Sequence, residues 1–146
     1  MRALPRAASD DDIRALVVEW SELLAQKRYQ DALELFPASA ESQAEWTPQV
    51  LEAWIANYGS PEPIPGERLH ELTSLIARED AQDIIRNKIN IDRENLYGLQ
   101  PDTYLGMVHY HDVPLDGERS DLTARFHIMK VDGDKLTLEF LDIHVM

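Results

Sequence analysis

Cysteine is absent from the 146-residue chain, which excludes disulfide bridges, thiol nucleophiles and thiolate metal sites. No apolar run approaches the roughly 18 residues of a membrane helix. Glycine is scarce, at six residues, and none builds a phosphate-cradling loop. A His-Glu-x-x-His zinc helix, a Gly-x-Ser-x-Gly elbow and a calcium-loop pattern are also missing, which counts against the commonest enzyme chemistries. Basic side chains are few. The 14 Lys and Arg stand against 27 Asp and Glu, for a net charge of -13. Such a field repels phosphate backbones and anionic headgroups, so neither nucleic acid nor a membrane surface is an expected partner. It attracts basic proteins and speeds their association at low salt, although solubility alone accounts for the same charge. Residues 1–10 carry no apolar stretch of the kind that heads a secretory signal, so the expected compartment is the cytoplasm.

Hydrophobic residues, at 44%, supply one core, and the length suits one domain. The expected fold is α+β, with N-terminal helices packed on an antiparallel sheet. Residues 1–9 read as a flexible arm, 10–59 as a helical half, 60–68 as a crossover and 69–146 as a mainly β half. Asp10 is placed to cap a helix whose stripe is Ile13, Leu16, Val17, Trp20, Leu23 and Leu24. Tyr29, Ala32, Leu33 and Phe36 mark a shorter helix stopped by Pro37, and residues 38–45 a polar loop. Thr47-Pro48 opens a third helix, with Gly59 just past its end. Leu72 to Ala77 reads as a short strand and Glu79 to Ile89 as a helix.

From Thr103 the period becomes two, giving strands over 103–113, about 119–130 and 134–145. Leu122, Ala124, Phe126 and Ile128 share one face. On the partner strand Leu136, Leu138 and Phe140 keep one phase, but Leu141, Ile143 and Val145 take the other. One strand cannot put both sets on one face, so a β-bulge is expected near Phe140–Leu141. Parity also calls for a three-residue turn with Gly133 left-handed, pairing Leu136 with Ile128 and Leu138 with Phe126. The other face then carries Asp121, Thr123, Arg125 and His127 opposite Thr137, Glu139, Asp142 and His144, turned outward.

This face holds the candidate binding residues. Asp121, Arg125, Asp142 and His144 form either an acid/base set or a cross-strand ion-pair ladder, and alternation alone accounts for the ladder. His109 and His111 share a strand face, and with His127 or His144 beside them a three-histidine metal site is conceivable. No ligand spacing supports one, so ordinary strand histidines, no metal and no cofactor are expected.

The stretch Gly117-Glu118-Arg119-Ser120-Asp121-Leu122-Thr123, closing with Asp142-Ile143-His144-Val145-Met146, resembles the C-terminal signature of a family of small uncharacterised bacterial proteins. The likeness covers about the last thirty residues and implies weight for Asp121 and the Asp142-x-His144 pair. The element order is also similar to the cone fold of scytalone dehydratase and nuclear transport factors, which hosts enzymes, ligand binders and association modules alike. Two functions follow as expectations. One is a small non-catalytic acidic interaction protein, such as an immunity or inhibitor protein against a basic partner like a secreted nuclease toxin. The alternative is a pocket protein that binds a small molecule or acts as a lyase or isomerase, with His109 or His111 as base.

Overall fold

The computed structural model describes residues 1–40, 42 and 44–145; Met146 of the C-terminal motif and positions 41 and 43 of the polar loop lie outside the described residues. Helix α1 (Asp10–Ala25) is capped by Ser9, not Asp10. The Ser9 hydroxyl accepts from the Asp12 amide at 3.1 Å and the Asp12 carboxylate accepts from the Ser9 amide at 3.0 Å. This reciprocal pair satisfies two otherwise orphaned donors, which is why the cap falls one residue earlier. Ile13, Leu16, Val17, Trp20 and Leu24 are buried as the spacing requires, and Leu23 is partly so. Helix α2 (Tyr29–Leu35) sends Ala32 and Leu35 inward, followed by buried Phe36. Helix α3 (Pro48–Ala56) starts where Thr47 accepts from the Val50 amide. Its end is fixed by Gly59, at φ +82°, whose amide donates to the Trp54 carbonyl at 2.7 Å. A Cβ at this glycine would stand 2.7 Å from the His144 Cα, so the helix end lies directly on the last strand.

The strand expected over Leu72–Ala77 does not form; among these residues only Leu72 makes a bridge, to Leu115. The reason lies on α1. The Glu22 carboxylate takes the Ser74 hydroxyl at 2.6 Å and the Leu75 amide at 2.9 Å, which folds the segment into turns against the helix. Helix α4 (Ala81–Lys88) is shorter than expected, and Ile89 opens strand β2 (Ile89–Asp92), which the sequence reading did not anticipate.

Strands β3 (Tyr104–Tyr110), β4 (Leu122–Val131) and β5 (Lys135–Val145) lie close to the expected spans. The N-terminal arm is not free: Leu4–Pro5 forms edge strand β1 against β5. The Arg2 amide donates to the Leu35 carbonyl, and the Thr137 hydroxyl donates to the Arg2 carbonyl. The sheet order is β1-β5-β4-β3-β2, antiparallel throughout and curled into a half-barrel.

The bulge sits where the phase change put it. Phe126 pairs with Phe140 and Arg125 with Asp142, leaving Leu141 as the extra residue. Leu138 and Ile143 are both fully buried although their separation is odd. The turn has an odd length, residues 132–134, with Gly133 at φ +75°. Its register differs by two from the expected one: Leu136 pairs with Lys130 and Leu138 with Ile128. A shift of two leaves every face unchanged. The helices cover the apolar face through a ring cluster in which the Trp20 centroid lies 5.1 Å from Phe126 and 5.3 Å from Phe140. Phe36 adds an edge contact to Phe126 at 5.8 Å. These rings fill the space between the layers, each contributing about 1.5–3 kcal/mol by burial.

Candidate functional site

On the face away from the ring cluster, antiparallel pairing sets polar side chains in rows across the strands. His111 neighbours Thr123, and Thr123 pairs with His144; His109, Arg125 and Asp142 form the next row, then Met107, His127 and Glu139. The outward, solvated face expected from alternation is corrected here. Thr123, His127, Thr137, Glu139 and Asp142 are all buried. Alternation identifies which side a residue faces but not what covers that side, and here the covering groups come from distant segments.

Each charged member has a partner inside the fold. Arg125 grips Asp142 with two parallel hydrogen bonds, Nε at 2.9 Å and Nη2 at 2.6 Å, the bidentate geometry that guanidinium and carboxylate share. His144 Nδ1 lies 3.3 Å from the same carboxylate. His127 Nδ1 meets Glu139 at 2.9 Å, and the Tyr104 hydroxyl donates to Glu139 at 3.1 Å. Burial pushes the Glu139 carboxyl up, but hydrogen bonds from His127, Tyr104 and Ser39 outweigh it and hold the group below its ordinary value. This arrangement is the cross-strand ladder, and Asp142 is not available as an outward contact.

His109 and His111 stack, with centroids 5.8 Å apart and planes 16° apart. Burial lowers both imidazoles' affinity for protons. At His109 the His111 and Arg125 neighbours act in the same direction; at His111 Asp112 opposes the effect. His111 Nδ1 lies 3.0 Å from the Thr123 hydroxyl, a spacing suited to base-assisted attack. Thr123 is only 2% exposed, so its hydroxyl is largely withdrawn from solvent. Among the described residues, no group of three His, Cys, Asp or Glu side chains is placed to hold a metal ion.

The residues of the Gly117–Thr123 motif divide sharply in role. Arg119, which the sequence reading did not single out, bonds Asp112 at 2.7 Å and Asp83 at 3.0 Å, with Asp80 at 3.4 Å. It ties α4 to the β3–β4 connection. The Ser120 hydroxyl donates to the Val113 carbonyl, and the Gly117 amide to the Thr73 hydroxyl. Asp121 differs. Its amide donates to the Tyr58 hydroxyl at 2.9 Å, while its side chain is exposed and makes no hydrogen bond among the described residues. The signal for Arg119 was a basic residue within a chain of excess acid, but two of its three partners, Asp80 and Asp83, lie more than thirty residues away in sequence.

Two surface openings adjoin this corner. One, about 340 Å³, is lined by Asn90, His111, Asp112, Asp121 and Thr123 with the end of α4. The other, about 350 Å³, is lined by Asn57, Tyr58, Ile64, Glu67, Arg68 and His70. Tyr58 belongs to the second and holds the Asp121 backbone beside the first. The structure therefore defines an α+β half-barrel with an internally paired polar sheet face and two surface openings beside it. No protein-family model, curated protein or solved structure matches the chain.

Proposed function

We propose that this chain is a small, non-catalytic, acidic interaction protein that binds a basic protein partner, in the manner of a bacterial immunity or inhibitor protein. The observation that carries the reading is the commitment of the ladder's ionisable groups to one another while Asp121 projects unpaired from the motif beside them. A catalytic pocket of the cone-fold kind would need ionisable groups facing a cavity between helices and sheet. Trp20, Phe36, Phe126 and Phe140 occupy that space instead. The net charge of -13 supplies long-range attraction for a basic surface. The likeness of the motif to small bacterial proteins implies no activity of its own but gives weight to Asp121, the contact residue of this reading.

The test starts with capture from a native lysate at low salt. The recovered protein is then purified and its binding kinetics are measured against salt. A basic partner whose on-rate falls steeply as salt rises, and which binds Asp121→Ala more weakly, supports the proposal. Recovery of no basic protein, or equal binding by Asp121→Ala, removes it.

A further inference from the structure

We propose that the opening beside α3 is a socket for an arginine side chain of the partner. The proposal rests on the interaction reading above and names the anchor that reading lacks. Its volume, about 350 Å³, falls in the range of small-ligand pockets, about 300–1,000 Å³. Its wall contains Asn57, only 8% exposed, whose side-chain oxygen has no hydrogen-bond partner among the described residues. A buried, unpartnered acceptor costs free energy unless something else supplies the donor. The Asn57 side chain belongs to the lining of the opening.

The remaining walls ask for the same chemistry. Tyr58 contributes an aromatic ring, packed against His70 with centroids 5.1 Å apart. His70 Nδ1 lies 2.7 Å from an Asp116 carboxylate oxygen, which can only accept, so Nδ1 carries the proton. In the neutral imidazole this leaves Nε2 as an acceptor. Glu67 adds a carboxylate with no side-chain partner among the described residues, and Ile64 an exposed apolar edge for a methylene stem. An acceptor amide, a carboxylate, an imidazole lone pair and an aromatic face suit a planar cation with donors in several directions. That is guanidinium, more than the compact and strongly hydrated ammonium of lysine. Arg68 also lines the opening, but it is 71% exposed and paired with Asp116 at 3.5 Å. The long-range field of the acidic chain favours a cation there over an anion.

The probe is Nα-acetyl-L-arginine amide, titrated into the whole chain and followed by amide chemical shifts, with Nα-acetyl-L-lysine amide as the comparison. The expected result is saturable binding with a dissociation constant of about 1 mM, shifts centred on Asn57, Tyr58 and His70, and the lysine amide several-fold weaker. Asn57→Ala removes an acceptor that makes no bond in the free protein, so folding should survive while binding weakens about tenfold. Glu67→Gln, at an exposed position, should weaken it about threefold. Absence of saturation, equal and dispersed shifts from both amides, or wild-type binding by both variants overturns the socket. The two proposals fail separately. A salt-steered partner indifferent to both variants removes the socket alone, whereas arginine binding with no basic partner recovered removes the interaction reading alone.

Discussion

Replacing Asp142 by alanine should destabilise the fold by about 2–3 kcal/mol, a figure that follows from the geometry of its pair with Arg125. The substitution deletes two charge-assisted hydrogen bonds, each worth about 1.5–3 kcal/mol, an upper sum near 6. The full sum is not lost, because the Arg125 side chain is 26% exposed and regains water once its partner is gone. Arg125→Ala should cost more, about 3–5 kcal/mol. It strands a carboxylate that is 5% exposed, with only His144 at 3.3 Å to compensate among the described residues. In the double variant neither charge is left alone, so the loss should fall short of the sum by at least about 1 kcal/mol. Urea unfolding of the four proteins of the cycle, with the slopes checked for constancy, measures this directly. Single losses below about 0.5 kcal/mol, the level of a solvated surface pair, would refute the claim that the ladder is structural. Additive losses would refute the coupling. Asp121→Ala in the same assay should change little, since that side chain supports nothing in the fold.

Gly106 stands at φ +151° beside an irregularity in the β3–β4 register, and an added Cβ would collide with the Asp92 carbonyl and lie 2.9 Å from the Arg93 Cα. Gly106→Ala should therefore lose about 2 kcal/mol or more, read as a lowered urea midpoint; an unchanged midpoint would show that β2 can move away. Deleting Leu141 removes the bulge but keeps Phe126 on Phe140 and Arg125 on Asp142, so Ile143 stays on the core face and the melt by circular dichroism should remain native-like and cooperative; an unfolded or molten chain would contradict the register. Stability should fall on acidification in two phases. His109 and His111 have folded values depressed below the ordinary 6.5, so their contribution is complete above that pH and is lost as pH drops beneath it. Glu139, depressed below 4.5, contributes above that value and is lost as pH falls through its folded value. A melting temperature flat between pH 7 and pH 5 would contradict the first phase, and Glu139→Gln should reduce the second, which it shares with Asp80, Asp83, Asp92 and Asp116, carboxyls also held below their ordinary value.

What the sequence made legible was whatever depends on local period and parity. The bulge at Leu141 and the odd turn around Gly133 follow from a side-chain period of two, which permits no other way to bury Leu138 and Ile143 together. Thr47-Pro48 opened its helix because both signals act within three residues. Strand β2 escaped notice because Ile89-Asn90-Ile91-Asp92 follows α4 without a break, and four residues carry too little periodicity to separate from a helix end. The N-terminal arm became a strand through a partner 132 positions away, Leu4 on Leu136. The candidate residues Arg125, Asp142 and His144 were found and do come together; the contacts made by Glu139 and Thr137 on the same face depended on Tyr104, Ser39 and Arg2, which no local pattern connects to them.

The same division between support and surface bears on how the motif should be read. A run such as Gly117–Thr123 invites a functional interpretation of every member, yet Gly117, Arg119 and Ser120 are each accounted for by bonds that hold the β3–β4 connection to α4, to Thr73 and to Val113. Leu122 is buried at the start of β4, and Thr123 is buried against His111. Structural demand therefore explains these members without any ligand, and would keep them in place whatever the chain binds. It does not explain Asp121. An exposed aspartate adds to a charge already at -13, stabilises no helix end and satisfies no donor, so folding alone gives no reason to prefer it to asparagine or serine. Its amide, fixed by Tyr58, instead ties its position to the wall of the proposed arginine socket. If the proposed socket takes a cation, a carboxylate beside it is a reason to place an acid at position 121, and Glu67 and Asp121 are then the residues of this surface that binding, not folding, sets.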